Sequence, residues 1–177
     1  MKYIFTDGSA INNGKLKSYG GIGIHFSNMK INDVMLPFIV DIATNNKTEL
    51  YAISRALETL LDHYISKKID RREKDYTIVS DSEYAIKSST VWLNVWKKFG
   101  WKTSQKTDVK NICLIQNNDI LLNIAKKLGM NIKFMHIHSH QKEPKNKHSH
   151  EHFLWKGNYT ADKLAKKSSI EIGKFIR

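Results

Sequence analysis

At 177 residues, 41% hydrophobic and 26% charged, the chain has the make-up of a soluble globular protein, and a single α/β domain over 1–177 is expected, with a core that needs no disulfide or structural metal. No apolar run nears the ~20 residues that span a bilayer, Asp7 interrupts the start before a signal segment can form, and the one cysteine, Cys113, excludes an internal disulfide, so a reducing, intracellular and cytoplasmic setting is expected. Its 29 Lys and Arg against 17 Asp and Glu give a net charge of +12, which favours a polyanionic partner, nucleic acid before membrane.

Tyr3-Ile4-Phe5-Thr6-Asp7-Gly8-Ser9 reads as a strand that ends in an aspartate and a turn. A turn-rich segment follows, Ile11 to Lys15. A second strand then alternates Gly20, Ile22, Ile24 and Phe26 with Gly21, Gly23 and His25, its glycines permitting close approach of a backbone or a ligand. Val34 to Asp41 is a third extended run, and Pro37 marks it as an edge strand. Three strands with short links predict an antiparallel meander.

Asn45-Asn46-Lys47-Thr48-Glu49 opens a helix, with Asn46 as its cap and Glu49 at the reciprocal capping spacing. Leu50, Ile53, Leu57, Leu60, Leu61 and Tyr64 lay an apolar stripe along it. Tyr76 to Asp81 repeats the opening design, a β-branched strand ending in aspartate. A strand–helix–strand unit of this length predicts a right-handed crossover with parallel strands, placing Asp7 and Asp81 at one sheet edge. That is the edge where α/β folds bind ligands. Helices are predicted over Ser82–Ser88, Thr90–Phe99 and Val109–Leu128, a fifth strand over Asn131–Ile137, and a closing helix from Gly157 to about Ser169. The polar stretch Gln141–Lys156 is expected to be a loop. The element order is βββαβαααβα.

Asp7 and Asp81 sit at strand ends, Glu49 at a helix start and Asp162 in the first turns of the last helix. Singly, these are also what a turn, a capping box and a solvated helix face would show. Together they repel one another in a small volume, and such a cluster persists by binding cations or protons. Oxygen ligands select hard ions, Mg²⁺ first and Mn²⁺ as substitute. Two Mg²⁺ ions beside a basic surface imply two-metal phosphodiester hydrolysis.

In that order the chain carries Thr6-Asp7-Gly8-Ser9, Thr44-Asn45-Asn46-Lys47-Thr48-Glu49-Leu50 and Ser80-Asp81-Ser82-Glu83-Tyr84. Trp92, Trp96-Lys97-Lys98-Phe99-Gly100-Trp101-Lys102-Thr103, Ser139-His140 and Gly157 to Ala165 complete the set. The set closely resembles the type 1 ribonucleases H, in the compact form with a basic protrusion and no separate hybrid-binding domain. The resemblance implies a ribonuclease H-like three-layer fold, a mixed five-stranded sheet with helices on both faces. It implies an endoribonuclease, acting as a monomer, that hydrolyses the RNA strand of RNA/DNA hybrids and leaves 5′-phosphate and 3′-hydroxyl ends. Asp7, Glu49, Asp81 and Asp162 would be catalytic metal ligands, and His140 a proton shuttle that assists product release. The alternatives are a DNA-cutting nuclease of the same fold, of resolvase or transposase type, and a non-catalytic hybrid-binding module.

The same resemblance places Asn45 at the substrate's minor groove, where an amide suits the 2′-hydroxyl. It places Asn111 with Thr48 in a pocket for a DNA phosphate. Trp92, Trp96 and Trp101 would pack against sugars while Lys97, Lys98, Lys102 and Lys106 meet phosphates; the other reading makes the tryptophans core and the lysines a solvated face. Between His140 and Asp162 the chain is longer than in compact relatives. Its alternating His148, His150 and His152 could hold a transition metal, but with no Cys and no fixed scaffold a mobile basic loop is the plainer account.

Overall fold

The computed structural model describes residues 2–40, 42–139 and 141–176, with only the backbone at Ile176. Five strands, β1 (Lys2–Ile11), β2 (Tyr19–Ser27), β3 (Val34–Phe38), β4 (Asp75–Ser80) and β5 (Asn131–His136), form one sheet in the order β3-β2-β1-β4-β5. The first three pair antiparallel, while β1–β4 and β4–β5 pair parallel. β3 lies at the edge, where Pro37 costs no ladder bond. The helices are α1 (Asn45–Ile65), α2 (Glu83–Ser89), α3 (Val91–Lys98), α4 (Ile112–Lys127) and α5 (His150–Ile176). The mixed sheet and the order βββαβαααβα are those read from the sequence. No described helix is long and apolar enough to cross a membrane.

The two faces of the sheet are covered differently. Ile4, Ile22, Ile24 and Ile78 join the stripe of α1 (Leu50, Ile53, Leu57, Leu60) and Ile115 of α4 in the larger core, all fully buried. On the opposite face Phe5 and Val79 meet Ala161 of α5, flanked by Phe153 and Leu154. The period-2 alternation of β1 thus sends Ile4 to one layer and Phe5 to the other. Glycine permits the close approach of α5: a Cβ on Gly23 would overlap the Ala161 carbonyl oxygen, and one on Gly21 would overlap the Ser169 amide.

Three expectations change. Thr44, not Asn46, caps α1: it is extended (φ −134°, ψ 154°) and its hydroxyl accepts from the Lys47 amide at 3.2 Å. Glu49 is therefore two residues past the capping position and is buried. The closing helix starts at His150, seven residues before Gly157, so much of the expected loop is helical and Asp162 lies well inside α5 rather than in its first turns. Ser149 accounts for the earlier start, since its Oγ accepts from the His152 amide at 3.0 Å and its carbonyl from the Phe153 amide. The apolar pair Phe153 and Leu154, hidden among Lys and His, then finds the sheet.

Gly23→Ala should destabilise the fold by about 1–3 kcal/mol, the usual cost of overpacking, because the obstructing atom is helix backbone and not a flexible side chain. Urea unfolding measures this directly; an unchanged midpoint would show that α5 can lift off β2 freely.

Candidate active site

The β1–β4 register sets the site. Phe5 pairs with Val79, and two residues further along the chain stand Asp7 and Asp81. Asp7 lies inside β1 and not at its end, because pairing with β2 carries the strand on to Ile11, whereas Asp81 is just past β4. Glu49 is the fifth residue of α1, whose start approaches β1 so closely that a Cβ on Gly8 would strike the Thr48 and Glu49 backbone. One oxygen from each of Asp7, Glu49 and Asp81 lies within 4.8 Å of the others. Asp7 and Glu49 are only 5% and 7% exposed. No salt bridge to a basic side chain reaches them among the described residues. Asp162 stands close enough to act on Asp7, and with Asp81 it lines a cleft of about 600 Å³.

Burial, then the charges of Asp81 and Asp162, push the Asp7 carboxyl up to about 7. Burial first and Asp7 second drive Glu49 well above the usual carboxylate range. Glu49 Oε2 is buried without a hydrogen-bond partner. Unpaired lone pairs beside two more carboxylates are what a divalent cation would satisfy, and the oxygen-only donor set suits a hard ion. The residues present therefore fit the metal that the acids imply.

The remaining expected residues scatter more. His140 lies outside the described residues. Asn45 is exposed at the start of α1; its Oδ1 accepts from the Ala10 amide at 3.0 Å, which fixes the side chain beside the end of β1. Thr48 is fully buried, and its hydroxyl donates to the Asn45 carbonyl at 2.8 Å, so its side chain is packed against β1 and β2 rather than presented to a ligand. Asn111 lies across a surface groove that Lys47, not Thr48, lines, and its Nδ2 donates to Tyr84 Oη at 3.1 Å. Trp96 and Trp101 pack against the larger core as partly buried side chains, as the structural reading of them expected, whereas Trp92 is exposed, edge-on to Tyr84. Lys97 pairs with Asp119 at 2.7 Å and Lys102 with Asp108 at 2.6 Å. Lys98 and Lys106 have no carboxylate within ion-pair distance among the described residues.

Several cleft residues escaped the sequence reading. His136, paired with Ser80 at the end of β5, puts Nε2 3.2 Å from the Asp81 carbonyl oxygen. Lys166 reaches both oxygens of Asp162, at 2.7 and 2.8 Å, and Asp162 holds its ammonium above the usual range. Its i,i+4 spacing from Asp162 was a legible signal. Trp155, Asn158 and Tyr159 line the same cleft, and Asn158 Oδ1 is buried without a partner. The alternating histidines do not converge. His150 stacks on Phe153, His152 meets Glu143, and among the described residues only Asp7, Glu49 and Asp81 form a group with metal-ligand spacing.

A mixed sheet with acids gathered just past the carboxyl end of the parallel β1–β4 pairing defines an α/β protein with a candidate metal-binding acidic centre. The family model for RNase H matches residues 1–170, and the chain belongs to the RNase H family. A ribonuclease H of Schizosaccharomyces pombe is 33% identical over 168 residues, covering 95% of this chain and 53% of that protein. The chain thus spans about half the length of that relative. A ribonuclease H of Cronobacter sakazakii is 36% identical over 120 residues, 68% of this chain and 67% of that one. In structure, a foamy viral protease-reverse transcriptase solved in complex with an RNA/DNA hybrid superposes with a TM-score of 0.65 at 22% identity, over 95% of this chain and 20% of that one. At that identity the likeness is one of fold.

The raised Asp7 pKa fixes the sign of a stability effect. Below about 3.8, the ordinary value, folded and unfolded chains both carry the proton. Between there and about 7 only the folded chain keeps it, so stability falls as pH rises, and above about 7 the full penalty remains. In metal-free buffer Asp7→Asn should therefore melt higher than wild type at pH 8, with the gap closing towards pH 4. Melting curves across pH check this, and a gap that widens on acidification would contradict the burial of an unpaired carboxylate.

Proposed function

We propose that the chain is a divalent-metal-dependent endoribonuclease that cuts the RNA strand of RNA/DNA hybrids. The observation that carries this reading is the meeting of Asp7, Glu49 and Asp81 within 4.8 Å, two of them buried, with Asp162 across an open cleft. A module that only bound nucleic acid would gain nothing from anions aimed at phosphate. The family supports the substrate class, and a protein of the same fold has been solved holding a hybrid.

Asp7, Glu49, Asp81 and Asp162 would hold two Mg²⁺ ions, which when bound supply a nucleophilic hydroxide at neutral pH and neutralise the leaving oxygen, giving 5′-phosphate and 3′-hydroxyl ends. The chain itself does the rest. Burial excludes water around Asp7 and Glu49 and strengthens their hold on a cation. Lys166 pairs with both oxygens of Asp162, which lines the cleft. His140, next in sequence to the cleft residue Gln141, would act as the proton shuttle that assists product release. The exposed Asn45 amide suits a 2′-hydroxyl, which distinguishes RNA from DNA. Lys98 and Lys106 would meet phosphates. The pairs holding Lys97 and Lys102 are exposed and worth little, so these lysines can exchange carboxylate for phosphate.

Matched RNA/DNA hybrid, DNA duplex and RNA duplex should be compared with and without Mg²⁺. Cleavage confined to the RNA of the hybrid, and lost with EDTA, is expected; cleavage of the DNA duplex would make the chain a DNA nuclease of the same fold. Asp81→Asn should abolish cleavage and leave hybrid binding at least as tight, since a charge that repels phosphate is gone.

The surface contacts predict a salt effect. Lys98→Ala and Lys106→Ala should each lower the slope of log affinity against log salt by ~0.7–0.9, the release expected per phosphate contact, with kcat at saturation unchanged. Lys97→Ala and Lys102→Ala should change it less, because each must first leave its carboxylate. Wild-type slopes in all four would move the binding surface away from α3.

A further inference from the structure

The chain leaves the sheet at Ile137, whose amide donates to the Ser80 carbonyl, and is caught again at Gln141. The second catch is the indole Nε1–H of Trp155, which donates to the Gln141 carbonyl oxygen at 3.0 Å. The indole is itself held within its helix. Tyr159, one turn on, stacks against it at 5.1 Å and 11°, and His152, one turn back, packs at 5.5 Å. A ring fixed on both sides presents its one donor in one direction, and Trp has no other polar atom to offer. His152 supplies a second tie, with Nε2 3.1 Å from Glu143 Oε1. Gln141 and Trp155 both line the cleft that holds Asp81 and Asp162.

We propose that Trp155 is a positioning residue for the proposed reaction: by anchoring the Gln141 carbonyl to α5, it fixes one end of the short stretch after Ile137, in which His138 lines the cleft with Asp81 and Asp162 and His140 is next in sequence to the anchored residue. This rests on the proposed function, and it adds a role that the insertion makes possible. The extra turns of α5 before Gly157 carry the anchor, so the added segment holds the cleft wall instead of forming a mobile loop. A tie of this kind acts through the residues it holds. Removing the N–H while keeping the ring should loosen the stretch without loosening the fold.

Trp155→Phe does this, since phenylalanine keeps an aromatic face against Tyr159 and His152. It should lower kcat on hybrid by about two- to tenfold, the equivalent of one neutral hydrogen bond, with KM within about twofold and the melting temperature within about 2 °C. In a His140→Ala background the same substitution should cost nothing further, because the residue it positions is gone. Amide exchange at residues 138–142 should be faster in Trp155→Phe than in wild type. An unaltered kcat, or a loss of the same size in the His140→Ala background, overturns the proposal and leaves Trp155 a packing residue. If the wild-type chain cuts no hybrid, it is the proposed function that fails. Exchange then decides the anchoring alone: unchanged protection at 138–142 refutes it, and faster exchange supports it.

Discussion

Two carboxylates out of water, with a third beside them, are the constraint around which this molecule is arranged. Asp7 and Glu49 are nearly buried, and Glu49 has an oxygen with nothing to bond. A group in that state raises the free energy of the metal-free fold, so something else must hold it there. The parallel register of β1 and β4 fixes Asp7 beside Asp81, and the two strands lie in the middle of the sheet with a covered face on each side. α1 is drawn down onto Gly8, which brings Glu49 over the strand ends. The cluster is held by strands packed on both faces, against α1 and α4 on one side and α5 on the other. That preorganises a cation site, because the cost of bringing the acids together is met on folding rather than on binding.

The opposite layer completes the site by a different device. α5 can carry Asp162 to the acids because Gly21 and Gly23 remove side chains from the β2 face that it covers. Its position is sensitive to a single methyl group. The N-terminal turns of the same helix hold the cleft wall through Trp155 and His152. One helix therefore joins a tightly packed centre to a cleft wall tied by hydrogen bonds.

Charge divides in the same way. An acidic centre sits inside a chain of net charge +12, so the surrounding surface offsets the repulsion that a polyanion would meet at the carboxylates. Two of the lysines that a linear reading assigns to phosphate are already paired, Lys97 with Asp119 and Lys102 with Asp108. Asp119 lies on α4, twenty-two residues from Lys97, and no local pattern links them.

What could be read from the chain was whatever repeats locally. Alternation in β1 and β2, the stripe of α1 and the strand-to-aspartate design at Asp7 and Asp81 have periods of two to four residues, and these carried the element order, the mixed sheet and the acid cluster. Misreadings came where a local signal was outvoted or absent. Asn46 and Thr44 are both good caps, and only the path of the chain into α1 chose Thr44. Lys and His masked the start of α5, whose turns form because Phe153 and Leu154 reach the Phe5 face. Thr48 looked like a ligand contact and is packing. By itself the sequence determined which residues are chemically able to bind cations, since that depends on side-chain type and on regular spacing along strands and helices. Only the tertiary structure decided which lysines are paired, where α5 begins and that Trp155 holds Gln141, because each depends on distances between segments far apart in sequence.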